Sequence, residues 1–214
     1  MQIKNKRYKF LDGSKLKVGI VVARFNQNVT DGLLDSALAM IHKCQIKENN
    51  IKIAINPGIA QLSLPNFAEI TKKIDVLILN QEEASFLTKV PFEQEKEIFS
   101  KIDEMCNGVV VMTKGGEGVT VSAATPNVGE PRPDGRDNNM YSALPPHDRV
   151  IVDTTGAGDS FASGFLSEFM KSSDIEASIQ LGMANSVGCL SQIGAKNGLL
   201  KKGQEFEKVE VKKV

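Results

Sequence analysis

The segment DTTGAGDSFASGFL, residues 153–166, combines residues with little or no side chain and a carboxylate. Gly156, Ala157 and Gly158 stand where a helix should begin, directly before Asp159. The first N–H groups of a helix lack intrahelical partners and carry partial positive charge, so small residues there let an anion reach the backbone. A carboxylate repels a phosphate, but it suits a general base for an attacking hydroxyl. The segment therefore indicates phosphoryl transfer; a glycine-rich helix start with an acidic first turn is the alternative.

Two further motifs follow apolar, strand-like runs. Asn80 and Glu83 lie in LNQEEASFL, after IDVLIL, and a helix N-cap with an acidic first turn explains that pattern as well as a ligand site does. Thr113, Gly115 and Gly118 lie in TKGGEG, after GVVVM, where a tight hairpin turn is the simpler explanation. Neither motif assigns a function when taken alone.

The elements that would position these residues alternate along the chain. Apolar β-branched runs predict strands and helical spacing predicts helices between them, which favours an α/β fold: a mostly parallel sheet sandwiched by helices. GVTVSA, residues 118–123, is expected to be a hairpin partner of the strand before it, and residues 125–149 a polar loop. Strands are predicted at residues 17–23, 51–55, 74–80, 108–113 and 149–153, and helices include residues 157–171 and 175–192.

Composition excludes several classes of protein. The 214 residues carry 26 Lys+Arg and 26 Asp+Glu and no Trp, so we expect neither a nucleic-acid partner nor membrane attraction. No apolar run has membrane-spanning length, and the N-terminus lacks the apolar region of a secretory signal. Three scattered cysteines are expected to be small buried side chains. These features predict a cytoplasmic protein.

The motifs together carry a family resemblance. DTTGAGDSF closely resembles the C-terminal signature of the ribokinase-like (phosphofructokinase B-type) carbohydrate kinases. The family order also contains the Asn-x-x-Glu motif, the Thr-x-Gly-x-x-Gly motif, NPG at residues 56–58, and a stretch like ANSVGCLSQIGAKNGL at residues 184–199. The resemblance covers about residues 51–214 and implies a Rossmann-like, ribokinase-like C-terminal half.

What the resemblance implies is phosphoryl transfer from ATP to a hydroxyl of a sugar or nucleoside. Asp159 would be the base, and the N–H groups of Gly156, Ala157 and Gly158 would stabilise the transferring phosphoryl group. Mg²⁺ is implied near Asn80 and Glu83, whose oxygens suit a hard cation, and K⁺ near the glycine loop. Expected nucleotide neighbours are Thr113, Gly115, Gly118, Asn185 and Gly194.

The first part of the chain resembles a different family. Residues 15–55, with RFN after a strand and a helix of the LLxxAL kind, look like the N-terminal segment of lumazine synthase. In that family an aromatic residue at the position of Phe25 stacks on the pyrimidine substrate, and Asn26 follows it. We therefore divide the chain into a lumazine-synthase-like β-α-β segment, residues 1–55, and a ribokinase-like ATP-binding region, residues 56–214, which could also form one continuous α/β domain.

Three functions remain open at this point. The first is a sugar kinase or the remnant of one, because the sugar-binding N-terminal half of the family has no match here. The second is a lumazine-synthase-type enzyme of riboflavin biosynthesis, which would be a large oligomer. The third is a nucleotide-binding module without turnover. A homo-oligomer is compatible with each of them.

Overall fold

The computed structural model describes residues 12–16, 18–22, 27–47, 51–65, 67–124 and 138–214. Within these residues, seven strands form one sheet in which the spatial order follows the chain order. The strands are β1 (Val18–Val22), β2 (Ile51–Ile55), β3 (Val76–Asn80), β4 (Val109–Thr113), β5 (Val119–Ala124), β6 (Asn138–Ala143) and β7 (Val211–Lys213). The helices are α1 (Gln27–Lys43), α2 (Ile59–Leu62), α3 (Phe67–Thr71), α4 (Gln81–Thr88), α5 (Glu95–Met105), α6 (Ala157–Ser172) and α7 (Ile175–Leu190).

The sheet has a parallel part and an antiparallel part. Strands β1 to β4 are parallel, and helices connect each of them to the next. Strand β5 returns antiparallel to β4, as the hairpin prediction requires, and β6 and β7 continue antiparallel. In the parallel part, all carboxyl ends of the strands lie at one edge, which is where α/β proteins bind ligands.

Alternating side chains of the central strands form the two layers of the core. In β3, Val76 and Ile78 enter a cluster with α6 and α7, whereas Leu77 and Leu79 enter a second cluster with α4 and α5. All four side chains are almost fully buried. A strand that is apolar on both faces is covered on both faces, so the predicted α/β sandwich is confirmed.

Two predictions about the second half of the chain are wrong. The segment predicted as a strand, residues 149–153, is outside the sheet: the N–H groups of Val152 and Asp153 both donate to Leu190 O, and the apolar side chains of residues 150–152 are exposed. The predicted polar loop, residues 125–149, contains β6, whose polar sequence NNMYSA hid the strand signal. Pairing with β5 and β7, rather than apolar alternation, defines β6.

The sheet is continuous across the predicted domain boundary at residue 55. Only two residue pairs align β2 with β3, and the side chain of Asp75 extends that pairing. Its carboxylate accepts hydrogen bonds from the Ile53 N–H and from Lys52 Nζ, each at 2.8 Å, and the Asp75 N–H donates to Ile53 O. One aspartate therefore attaches the N-terminal β-α-β segment to the rest of the sheet.

The structure also bears on the expectations for membrane-spanning helices and for the cysteines. No helix among the residues that the structure describes is long and apolar enough to cross a membrane. Of the three cysteines, Cys106 and Cys189 are buried as expected, whereas Cys44 is only partly buried, and none of the three forms a disulfide.

Candidate active site

The loop before α6 has a backbone conformation that requires glycine. Gly156 is the N-cap of α6 and has a φ of +79°. A Cβ at this position would lie 2.5 Å from the Cβ of Ala195, in the loop after α7. Both the left-handed conformation and the close approach exclude a side chain. Gly156 is therefore needed to build the loop, whatever the loop binds.

The first turn of α6 offers N–H groups to a ligand. Ala157 N–H donates to Thr154 O at a long 3.3 Å, whereas the N–H groups of Gly158 and Asp159 have no acceptor in the part of the chain that the structure describes. A Cβ on Gly158 would meet nothing within 4 Å, so the space beside it is open. The Asp159 side chain belongs to an exposed residue. The turn thus joins free donors, open space and a carboxylate, the combination that phosphoryl transfer needs.

Asp153 connects this loop to the loop after α7. One carboxylate oxygen accepts from the Thr155 N–H at 2.9 Å and the other from the Gly194 N–H at 2.8 Å. These two N–H groups, Thr155 first, hold the pKa of the Asp153 carboxyl below its usual value. Gly194, with a φ of +91°, is thereby placed beside the start of α6. The structure brings two of the predicted regions together here.

Asn80 and Glu83 form a capping box at the start of α4. Asn80 Oδ1 accepts from the Glu83 N–H, and Glu83 Oε2 accepts from the Asn80 N–H, both at 2.8 Å. Burial raises the pKa of the Glu83 carboxyl, and the Asn80 N–H opposes this shift only in part. The helix N-cap that we gave as the alternative for this motif is therefore present, and any ligand role of Asn80 and Glu83 has to be additional to it.

The oxygens at this site fit Mg²⁺ only as part of a larger set of ligands. Among the described residues, no three His, Cys, Asp or Glu side chains group as metal ligands. Mg²⁺ commonly keeps several waters and is held by one or two carboxylates together with substrate phosphates. Asn80 and Glu83 match that arrangement in residue type, with the remaining oxygens supplied by water and a nucleotide.

The glycine turn after β4 lies beside Asn80. Thr113, the last residue of β4, is the register partner of Asn80, and its Oγ1 is 3.4 Å from Leu79 O. Gly118 has a φ of +85°, and a Cβ there would collide with Ala143 O, so this glycine serves the turn itself. Gly115 has a φ of +56° but open space around it. Both sequence motifs thus lie at the carboxyl edge of adjacent parallel strands.

Asn185 is not free to reach a ligand with its amide. It is buried, and its Nδ2 donates to Ser160 O at 2.9 Å and to Ser163 Oγ at 3.2 Å. Its Oδ1 accepts from the Leu200 N–H at 2.9 Å. The side chain connects α7 to the first turns of α6 and to the C-terminal segment. A hydrogen bond from Nδ2 to the predicted nucleotide would have to replace one of its two present bonds.

Sequence reasoning missed Arg149. Its Nη1 donates to Pro146 O at 2.8 Å, and its Nη2 lies 3.5 Å from the position of a Cβ on Gly116. Four residues span at most about 14 Å of extended chain, so Asp153 lies within that distance of Arg149. Arg149 therefore has its guanidinium next to the glycine turn, and its backbone lies within about 14 Å of Asp153 in the loop before α6. Because no motif includes it, the sequence alone gave no signal.

Phe25 and Asn26, the residues expected to bind a pyrimidine, lie outside the described residues. The structure therefore leaves the lumazine-type site as a prediction.

Open α/β sheets with free N–H groups at a helix start beyond the parallel strands form a broad class of folds that can hold an anion. Within that class, the chain belongs to the pfkB family of carbohydrate kinases, which its sequence matches over residues 21–202. The match begins thirty residues earlier than the predicted resemblance and includes most of the N-terminal β-α-β segment.

Individual relatives agree with this assignment. An uncharacterized sugar kinase from Archaeoglobus fulgidus is 27% identical over 157 residues, 72% of this chain and 56% of its own length. The fold resembles adenosine kinase from Sinorhizobium meliloti (TM-score 0.57, 21% identity, 78% of this chain, 46% of that chain). It also resembles Arabidopsis thaliana ribokinase complexed with ribose and ATP (TM-score 0.54, 24% identity, 75% and 48%). The chain spans about half the length of the relatives it matches.

A short stretch is also similar to lumazine synthases. The 6,7-dimethyl-8-ribityllumazine synthase of Methylobacillus flagellatus is 40% identical over 48 residues, 22% of this chain and 32% of its own length. The resemblance to that family is therefore real but confined to a short segment, whereas the kinase family covers most of the chain.

Proposed function

We propose that this protein transfers the γ-phosphoryl group of ATP to a hydroxyl of a sugar or nucleoside. The observation that carries the proposal is the first turn of α6, where unpaired N–H groups, an open face at Gly158 and the Asp159 carboxylate occur together. Family membership supports the class of reaction. Because the chain covers half of its relatives' length, the complete activity and the acceptor belong to the proposal.

In the proposed reaction, Asp159 takes the proton of the acceptor hydroxyl as its oxygen attacks the γ-phosphorus, and ADP leaves. The N–H groups of Gly156, Ala157 and Gly158 donate to the oxygens of the transferring group, where negative charge is spread in the transition state, and the Ala157 N–H gives up its long bond to Thr154 O. The dipole of α6 adds to this stabilisation because its positive end faces the same oxygens. The protein thus contributes position and charge rather than a covalent intermediate.

The nucleotide is proposed to lie along the carboxyl edge of the sheet. Thr113, Gly115 and Gly118 would border it on one side and Gly194 on the other, with Asn185 supporting the loops between them. Asn80 and Glu83 would hold Mg²⁺ through water, and the metal would neutralise charge on the phosphate oxygens. K⁺ near the glycine loop, a homo-oligomer and a cytoplasmic location remain predictions from the sequence.

The decisive experiment measures ADP release from Mg·ATP with a panel of sugars and nucleosides. We expect ADP release that depends on the alcohol and is lost in Asp159→Asn, because the amide cannot accept the proton. The same variant should bind Mg·ATP, since the N–H groups of α6 remain. ADP release that persists in Asp159→Asn would overturn the role of the base.

The alternative without turnover has its own outcome in this experiment. If Mg·ATP binds but no alcohol stimulates ADP release, the chain is a nucleotide-binding module, or the half of a kinase that needs another chain to supply the acceptor site. Adding a second chain that carries the acceptor site would produce turnover if this chain is half of a kinase. It would not do so if this chain is a nucleotide-binding module, so the two versions can be distinguished.

A lumazine-type function is the second candidate, and the short match to lumazine synthase favours it. It requires that a ribityl-pyrimidine bind near Phe25 and that the protein form a large oligomer. Titration calorimetry with the wild type and Phe25→Ala, together with light scattering, tests this candidate. A monomer that does not bind the pyrimidine would remove it.

A further inference from the structure

We propose that Arg149 binds a phosphate group of the nucleotide, a role that rests on the proposed function. The argument begins with the position of the guanidinium group. Nη2 lies 3.5 Å from the position that a Cβ on Gly116 would occupy, in the turn after β4, and Nη1 donates to Pro146 O at 2.8 Å. The hydrogen bond is to a backbone carbonyl, so the protein orients the side chain without neutralising its charge.

The charge of Arg149 has no counterion in the described part of the chain. Arginine has five N–H donors, and only the bond to Pro146 O is made here. Neither Glu117 in the turn nor the adjacent Asp148 forms an ion pair with Arg149 within 4 Å. Since the residue is partly buried, its charge is only partly solvated. A fixed, unpaired guanidinium is a binding group for an oxyanion, which it can contact with two parallel N–H donors.

The neighbouring cation provides a useful contrast. Lys114 is the first residue after β4, but its Nζ is 3.0 Å from the Glu95 carboxylate and the side chain is largely buried. Lys114 is therefore neutralised by the protein itself. Of these two cations, Arg149 is the one without an ion pair among the described residues.

The location indicates which anion would bind. The Arg149 guanidinium lies next to the turn that borders the proposed nucleotide on one side, and Arg149 is four residues before Asp153 in the loop that leads to α6. The proposed transferring phosphoryl group lies at the start of α6. A polyanion that extends from the glycine turn to the helix would pass Arg149, and a nucleoside diphosphate or triphosphate has that form. We therefore assign the contact to its phosphates rather than to its base.

Calorimetric titration with ADP and with adenosine tests this assignment. We expect Arg149→Gln to weaken ADP binding about ten- to hundredfold, the value of one or two charge-assisted hydrogen bonds. Adenosine binding should be unchanged, and Arg149→Lys should restore part of the ADP affinity. Raising the salt concentration should weaken ADP binding more in the wild type than in Arg149→Gln.

Lys171→Gln is the matched control, since it also removes one positive charge. Lys171 is exposed near the end of α6, about 21 Å from Ala157 along the helix. The Lys171→Gln variant should bind ADP as tightly as the wild type does. Equal weakening of ADP and adenosine by Arg149→Gln, or no change in either, would overturn the phosphate contact. If the wild type binds neither ADP nor adenosine, the proposed function itself is wrong, and the phosphate contact of Arg149 is wrong with it.

Discussion

At the scale of single residues, two glycines separated by Ala157 have different tasks. Gly156 is needed for the loop because of its left-handed φ and the nearby Ala195, whereas Gly158 has open space beside it. The protein therefore excludes a side chain at Gly156, whereas at Gly158 only the proposed anion would exclude one. This contrast separates folding from binding within a single turn.

We predict opposite effects of alanine at these positions. Gly156→Ala should lower the free energy of unfolding by roughly 1–3 kcal/mol, because it combines backbone strain with a clash. Gly158→Ala should raise it by about 0.5–1 kcal/mol, since alanine favours a helix over glycine. Only Gly158→Ala should be a stable protein that binds Mg·ATP weakly. Urea denaturation and nucleotide titration measure both quantities, and normal nucleotide binding by Gly158→Ala would contradict an anion at this turn.

Glu83 should give the protein a pH-dependent stability. Because the pKa of the Glu83 carboxyl is raised in the folded state, the folded protein keeps a proton on Glu83 that the unfolded chain loses around pH 4.5. The free energy of unfolding should therefore decrease as the pH rises from 4.5 through the raised pKa. Glu83→Gln keeps an oxygen for the Asn80 N–H and carries no charge, so this decrease should be absent.

Urea denaturation of wild type and Glu83→Gln at pH 4.5 and pH 7 checks this prediction. The expected result is a variant at least as stable as the wild type at pH 7, with weaker Mg²⁺-dependent nucleotide binding if Glu83 also serves the metal. A variant that is less stable by the same amount at both pH values would show that the carboxylate itself, rather than its desolvation, controls the cap.

At the scale of elements, α4 depends on Asn80 for its first turn, and the proposed metal site depends on the same side chain. Alanine removes both roles, whereas serine caps a helix nearly as well as asparagine does. Asn80→Ala should lower the free energy of unfolding by about 1 kcal/mol, and Asn80→Ser should leave it nearly unchanged. Both variants should bind Mg·ATP less tightly if the amide serves the metal. If Asn80→Ser binds Mg·ATP as tightly as the wild type does, Asn80 serves only as the N-cap of α4.

The elements also show how far sequence reasoning reaches. Strands β3 and β4 were predictable because their runs are apolar on both faces. Helix α6 was predictable because the glycine-rich segment indicates its start and apolar residues at helical spacing indicate its buried face. Strand β6 was not, since its polar residues pair at the antiparallel side of the sheet. The apolar run at residues 150–152 suggested a strand, but the hydrogen bonds of this segment go to Leu190 O.

The same limit applies to the candidate site. The motif residues could be located from spacing, because each motif follows a strand or begins a helix. Arg149 could not, since its proposed role depends on the nearness of its guanidinium to Gly116, which is distant in sequence. Nor could the full engagement of Asn185, which depends on the packing of α6 against α7 and on Leu200.

At the scale of the whole molecule, the attachment of the N-terminal β-α-β segment is narrow. Asp75 supplies side-chain bonds where the β2–β3 ladder is short. Asp75→Ala should lower the free energy of unfolding by about 1 kcal/mol, a modest value because Lys52 and Asp75 are partly exposed.

Hydrogen exchange locates this effect. Amides of β2 should exchange faster in Asp75→Ala, whereas amides of β4 and α6 should be unchanged. Lys52→Met, which keeps the bond between Asp75 and the Ile53 N–H, should have a smaller effect. Uniform acceleration across the sheet would mean that the segment and the kinase-like region unfold together.

The sequential order of the strands has a consequence for the order of folding. Each strand from β1 to β6 pairs with its successor in the chain, but β7 reaches β6 only after residues 144–210, which contain α6 and α7. Closing that long loop costs the most chain entropy and joins only three residues of β7. The amides of β7 should therefore be the last to gain protection during refolding, after the two helices have already brought the C-terminus back to the sheet.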